Sequence, residues 1–177
     1  LETVAYLCCC LAEPTLGESV VVVGLGLLGQ ITVQLLKANG CRVFGVDLDP
    51  TKVALALELG ADAAALSGEG IKRAVLDWSR GRGADAVLIT AATPSNQPVE
   101  FAGEVSRLKG RVVAVGMVGL DVPRNLYFKR ELSLMVSMSY GPGRYDPEYE
   151  ERGHDYPFAY VRWTENRNIE AFLDLVA

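Results

Sequence analysis

The chain has 177 residues, enough for one domain with a sizeable core, and half of them are hydrophobic, which favours a packed globule over a disordered segment. A net charge of −5 with no long basic stripe argues against nucleic acid as the main partner, and no apolar run is long enough to span a bilayer. The four cysteines, Cys8, Cys9, Cys10 and Cys41, form no C-x-x-C pair, and with no leader-like segment in view the expected setting is a reducing cytoplasm.

Residues 1–11 read as the tail of a helix already under way, with neither a cap nor a start signal, so the chain is expected to be a piece of a longer protein. The cysteine run falls on this segment. Neighbouring side chains diverge on a helix, so the three cysteines read as small apolar residues on a buried or half-buried face and not as metal ligands.

The first predicted strand is Ser19 to Gly24, with four valines in a row. Gly24-Leu25-Gly26-Leu27-Leu28-Gly29 follows it and opens a helical segment in which Leu28, Ile31 and Leu35 share a face. A second strand, Arg42 to Val46, ends at Asp47, 18 residues past Gly29. Strand, glycine turn, helix, strand and acid in this order signal a dinucleotide site. Gly24 permits the sharp turn, Gly26 leaves room for a pyrophosphate, and Gly29 allows close helix–sheet packing. The helix start offers free N–H groups and the positive end of its dipole to the phosphates. A carboxylate at Asp47 can accept from both ribose hydroxyls of NAD and would repel the 2′-phosphate of NADP. Leu48 and Asp49 follow the acid, with no arginine beside it.

Asp49 is the expected cap of the next helix, with Pro50 at its first position and Gly60 at its end. The third strand is Ala63 to Leu66, and Ile71, Ala74, Val75 and Trp78 form the stripe of the helix after it. The fourth strand is Ala86 to Thr90, followed by a helix from Pro98 to Gly110, and the fifth is Arg111 to Val115. Residues 121–131 offer only a short, ambiguous connection to a sixth strand, Leu132 to Ser139. A polar loop, residues 141–155, precedes a last helix capped by Thr164, with Ile169, Phe172, Leu173 and Val176 as its apolar stripe.

Strands alternating with helices give an α/β fold: a doubly wound, parallel six-stranded sheet of Rossmann type, order 3-2-1-4-5-6, in three α/β/α layers. Residues 16–140 are assigned to it, and residues 141–177 to a loop and helix packed on it.

LGESVVVVGLGLLGQITVQLLKANGCRVFGVDLDPTKVALALELGAD and GADAVLITAATPSNQPVEFAGEVSRLKGRVVAVGMVG together resemble the coenzyme domain of the medium-chain, zinc-type alcohol-dehydrogenase-like oxidoreductases. The later stretch SYGPGRYDPEYEERGHDYPFAYVRWTENRN is similar to a subgroup related to threonine dehydrogenase, found as the front half of two-part oxidoreductases. The resemblance implies NAD(H) binding and hydride transfer between the nicotinamide and an alcohol or carbonyl substrate, sugar-type ones included. It implies that Gly24, Gly26 and Gly29 carry the phosphate turn, that Leu27 and Leu28 add backbone contacts, and that Asp47, with Leu48 beside it, holds the adenosine ribose. It places Ala91 and Ala92 along the cofactor and Val115, Gly116 and Met117 beside the nicotinamide; ordinary strand-end packing is the competing account of these five.

In the family a separate, mostly β catalytic domain precedes this one, and residues 1–15 then read as a helix tail from it. That domain supplies the substrate contacts and, where used, the zinc. In this chain no catalytic residue and no metal ligand is assigned: His154 is a lone loop histidine, and Lys52, Lys72, Lys109 and Lys129 sit in surface-like contexts. Two other functions stay open, a non-catalytic NAD-sensing or oligomerisation module and, less favoured, an S-adenosylmethionine-binding methyltransferase domain. The sixth strand is expected at the sheet edge, where its unpaired backbone groups invite a homodimer.

Overall fold

The structure is a computed structural model and describes residues 2–176. It contains α1 (Glu2–Ala12), β1 (Ser19–Val23), α2 (Leu27–Ala38), β2 (Arg42–Asp47), α3 (Pro50–Glu58), β3 (Ala63–Leu66) and α4 (Ile71–Trp78). These are followed by β4 (Ala84–Ile89), α5 (Gln97–Val105), β5 (Ser106–Ala114), α6 (Arg124–Arg130), β6 (Ser133–Val136), α7 (Pro147–Glu150) and α8 (Glu165–Val176).

The six strands form one sheet in the order β3-β2-β1-β4-β5-β6, and every neighbouring pair is parallel. β1 lies at the centre, with Val22 opposite Gly45 on one side and Leu88 on the other. Its valines are buried on both faces, which is why the run is unbroken rather than alternating. Val20 and Val22 pack with Cys8 of α1, Val33 and Leu36 of α2 and Ala56 of α3. Val21 and Val23 pack with Ile71 and Val75 of α4, Val99 and Ala102 of α5 and Tyr127 of α6. The period-two alternation of a strand thus divides one valine run between two cores and produces the three layers. Each fully buried valine contributes about 1.5–3 kcal/mol.

Several boundaries differ from those read in the sequence. The helix expected to reach Gly110 ends at Val105, because Ser106–Ala114 is strand: Ser106 already pairs with Ala84, and a register shift precedes the pairing of Arg111 with Ala86. Gly24, at φ +97°, has left β1. The ambiguous residues 121–131 hold α6, with the Tyr127 hydroxyl donating to the Val99 carbonyl at 2.9 Å. β6 is four residues long, half its expected length; it pairs with Arg111 to Ala114 of β5, and the ladder ends where the Ser137 N–H donates at 2.9 Å to the carbonyl of Ala114, the last residue of β5.

The helix stripes also shift. On α2 the buried residues are Gly29, Gln30, Thr32, Val33 and Leu36, whereas Leu28, Ile31 and Leu35 are half-buried. The reason is α1, which gives α2 a second covered side; the Cys8 thiol and the Thr32 hydroxyl lie 3.6 Å apart. On α4 Ala74 is exposed, and Ile71 and Val75 carry the burial. The expected apolar stripe of α8 is largely open: Ile169 and Leu173 are exposed, Phe172 is half-buried, and the Val176 side chain lies outside the described residues. α8 is anchored through polar groups instead. Thr164 is buried and accepts from the Tyr149 hydroxyl at 2.9 Å, while buried Asn168 donates to the Tyr140 carbonyl at 2.9 Å.

Candidate functional site

The site forms where β1 stops. The Gly24 N–H donates to the Val46 carbonyl of β2 at 2.8 Å, and its carbonyl accepts from the Thr90 hydroxyl after β4 at 2.5 Å. The turn is therefore held from both flanking strands. A β-carbon on Gly24 would lie 2.5 Å from the Ala91 nitrogen, and one on Gly29 only 1.9 Å from the Gly24 carbonyl oxygen. A β-carbon on Gly26 would meet nothing within 4 Å. Two glycines are thus required by the protein's own packing, while the third faces open space.

That space lies at the N-terminus of α2. Gly26 occupies the cap position and no side chain caps the helix. The first helical bond returns from the Gln30 N–H to the Gly26 carbonyl at 2.9 Å, so the N–H groups of Leu27, Leu28 and Gly29 have no acceptor within the helix. With no acid in the first turn, the dipole end is unneutralised.

Asp47, half-buried at the end of β2, faces the same turn. Its Oδ2 accepts from the Leu25 N–H at 2.6 Å and its Oδ1 from the Asp49 N–H at 2.9 Å. Each oxygen keeps a further lone pair for a ligand. Asp49 caps α3, accepting from the Thr51 N–H at 2.8 Å; the Thr51 hydroxyl and N–H hold its carboxyl below the usual range.

A cleft of about 570 Å³ opens between these groups. Gly24, Gly26, Asp47 and Leu48 line one side, and Ala91 and Ala92 the other. Of the remaining residues singled out in the sequence, Leu27 is 63 % exposed, Leu28 is half-buried beside it and Gly29 is enclosed in the turn. Val115 packs on the core, and a β-carbon on Gly116 would lie 2.0 Å from the Ala91 carbonyl oxygen. Met117 is 87 % exposed and borders a shallower hollow with Thr93 and Val118 that adjoins the cleft at Ala92 and Thr93. The Thr93 N–H donates to the Met117 carbonyl at 2.8 Å, which binds the loops after β4 and β5 together.

The sequence reading missed part of the lining. Lys52, placed there in a surface-like context, borders the cleft with its Nζ 4.0 Å from the Asp49 carboxylate. Ser67, Thr90, Ser95, Gln97 and Pro98 also line the cleft. The one available signal was position: all lie in the loops that follow β2, β3 and β4 or in the first turn of the helix after them, on the carboxyl side of a parallel sheet.

The resemblance to zinc-type enzymes raises zinc, and the residues present do not fit it. Among the described residues no group of three or more His, Cys, Asp or Glu side chains converges. Burial and the neighbouring Cys8 push the Cys10 thiol up to about 11, against the thiolate a metal needs. The Cys8 thiol donates to the Ala5 carbonyl at 3.0 Å. His154 is exposed, with its Nδ1 2.9 Å from Glu148 Oε2.

The sheet order and the glycine turn at its centre define a domain of Rossmann type. The chain belongs to the zinc-binding dehydrogenase family, which it matches over residues 28–152. It is 31% identical over 162 residues to an alcohol dehydrogenase of Rhizobium meliloti (strain 1021), covering 89% of this chain and 46% of that protein. It is 30% identical over 160 residues to the alcohol dehydrogenase notN of Aspergillus sp. (strain MF297-2), covering 89% of this chain and 42% of that protein. The solved alcohol dehydrogenase of the hyperthermophilic archaeon Aeropyrum pernix superposes with a TM-score of 0.69 at 28% identity, over 77% of this chain and 40% of that one. The chain thus spans less than half the length of these relatives.

Proposed function

We propose that this chain is the NAD(H)-binding domain of an alcohol-dehydrogenase-like oxidoreductase, acting on an alcohol or carbonyl compound, sugar-type ones included. The observation that carries the reading is the open space at Gly26, bounded by the uncapped start of α2 and the Asp47 carboxylate. A pyrophosphate suits the first and a ribose diol the second. The two relatives of Rhizobium meliloti and Aspergillus, both alcohol dehydrogenases, support the reaction class.

The nicotinamide, when bound, gives or takes the hydride. This chain's residues bind and orient. Gly24, Gly26 and Gly29, with the N–H groups of Leu27 and Leu28, hold the phosphates; Asp47, Leu48 and Lys52 hold the adenosine end. Ala91 and Ala92 line the cofactor, and Val115, Gly116 and Met117 belong to the nicotinamide end, where substrate contacts and any zinc come from a catalytic domain elsewhere in the protein. The setting is cytoplasmic, in keeping with the absence, among the described residues, of any helix long and apolar enough to cross a membrane. A homodimer through β6 completes the proposal.

Titration with NADH, NADPH and S-adenosylmethionine tests it. Enhanced nicotinamide fluorescence and a higher melting temperature with NADH are expected, with little response to S-adenosylmethionine. A response to S-adenosylmethionine alone would overturn it.

A further inference from the structure

Gln30 is 5% exposed and stands directly after the last glycine of the turn. Its Nε2 donates to the Leu25 carbonyl at 3.0 Å and to the Lys52 carbonyl at 2.9 Å. Two carbonyl acceptors fix which end of the amide faces them, because only the amine can donate. The same Leu25 gives its N–H to Asp47. Gln30 therefore closes a ring of contacts: Asp47 to Leu25, Leu25 to Gln30, and Gln30 to Lys52 in the first turn of α3.

Packing alone does not account for a glutamine here. The Oε1 atom is buried without a partner among the described protein atoms, a desolvation cost that a methionine of similar shape would avoid. What the amide does that an apolar side chain would not is tie the turn beside Gly26 to the helix start beside Asp47 and Asp49. These are the two halves of the cleft. One ligand reaching both is held best when their separation is set before it arrives.

We propose that Gln30 is a positioning residue that fixes the spacing between the phosphate turn and the ribose acid. Resting on the dinucleotide reading above, this adds a residue that need touch no part of the ligand. Its loss should weaken ligands that bridge the two halves and spare one that occupies a single half.

Calorimetry of the purified protein with ADP-ribose, and NMR titration with adenosine, make the comparison for wild type, Gln30→Met and Gln30→Asn. Asparagine keeps the amide but is too short to span both carbonyls, and serves if the methionine variant does not fold. The expected result is a loss of about tenfold or more in ADP-ribose affinity, with adenosine affinity held within about twofold. A parallel loss for both ligands would mean that Gln30 merely supports the fold and would overturn the proposal. Unchanged ADP-ribose affinity in a folded variant would overturn it too. Wild-type protein that binds neither ADP-ribose nor NADH would instead sink the dinucleotide reading, and this inference with it.

Discussion

The backbone N–H of Leu25 donates to Asp47 Oδ2 at 2.6 Å, so the acid at the end of β2 is fastened to the turn at the end of β1. Asp47 therefore has two roles: it orders the turn and it presents a carboxylate to the cleft. Asp47→Ala should weaken NADH binding by about tenfold or more, equivalent to about 1.4 kcal/mol, and narrow the preference for NADH over NADPH. Asp47→Asn keeps an acceptor for the Leu25 N–H, so it should retain more of the NADH affinity while still losing discrimination. Fluorescence titration of both cofactors reads both effects. Equal binding of NADH and NADPH by the unaltered chain would remove the assigned role of the acid.

The three turn glycines should separate into two kinds. Gly26 has a φ of −67° and open space around it, so Gly26→Val should leave the melting temperature nearly unchanged while abolishing NADH binding. Gly24→Ala and Gly29→Ala place a methyl group 2.5 Å or less from backbone atoms, and each should destabilise the protein by about 1–3 kcal/mol or more. Thermal melts run beside calorimetry make the distinction. A folded Gly26→Val protein with normal NADH affinity would show that the pyrophosphate does not pass this position.

Asp62 predicts a pH dependence of stability. Burial pushes its carboxyl up, but the Lys37 ammonium at 2.8 Å and the Val43 N–H at 2.7 Å outweigh that and hold it below the ordinary carboxylate value. Because the folded value is depressed, the stabilisation is fully present above the unfolded value, about 3.9, and is lost as pH falls through the folded one. Asp62→Asn should lower the melting temperature at pH 7, with the gap to wild type closing below about pH 4. A gap that stays constant from pH 7 down to pH 3 would count against it.

At the sheet edge, Val136 and Met138 are 64% and 61% exposed, and among the described residues β6 has a sheet partner only in β5. An open hollow of about 870 Å³ adjoins Tyr127, Phe128 and Ser133. If two copies join edge to edge, sedimentation at micromolar concentration should give a dimer, and Val136→Lys should shift it toward monomer without lowering the monomer's melting temperature. A wild-type monomer at that concentration would leave the edge as a capped end of the sheet.

The sheet order was legible because the chain repeats one signal. Val20 to Val23, Ala63 to Leu66 and the run through Leu88 are apolar strands separated by segments of helical period, and this alternation leads to a parallel doubly wound sheet. The caps were legible too: Asp49 with Pro50 starts α3 as read. Boundaries that depend on a neighbour were not. Whether Ser106 ends a helix or begins a strand is decided by Ala84, and the length of β6 by where β5 stops.

The candidate site shows the same division. Gly24, Gly26, Gly29 and Asp47 were identifiable because each answers a local steric or electrostatic demand at a fixed spacing along the chain. Sequence by itself determined the residue types, the turn and the acid. Only the tertiary structure showed that Leu25 joins that turn to that acid, that Gln30 ties both to Lys52, and that Gly116 is pressed against Ala91. Backbone propensity and periodicity act over a few residues, whereas a hydrogen bond between positions 22 residues apart exists only once the sheet has brought β1 and β2 side by side.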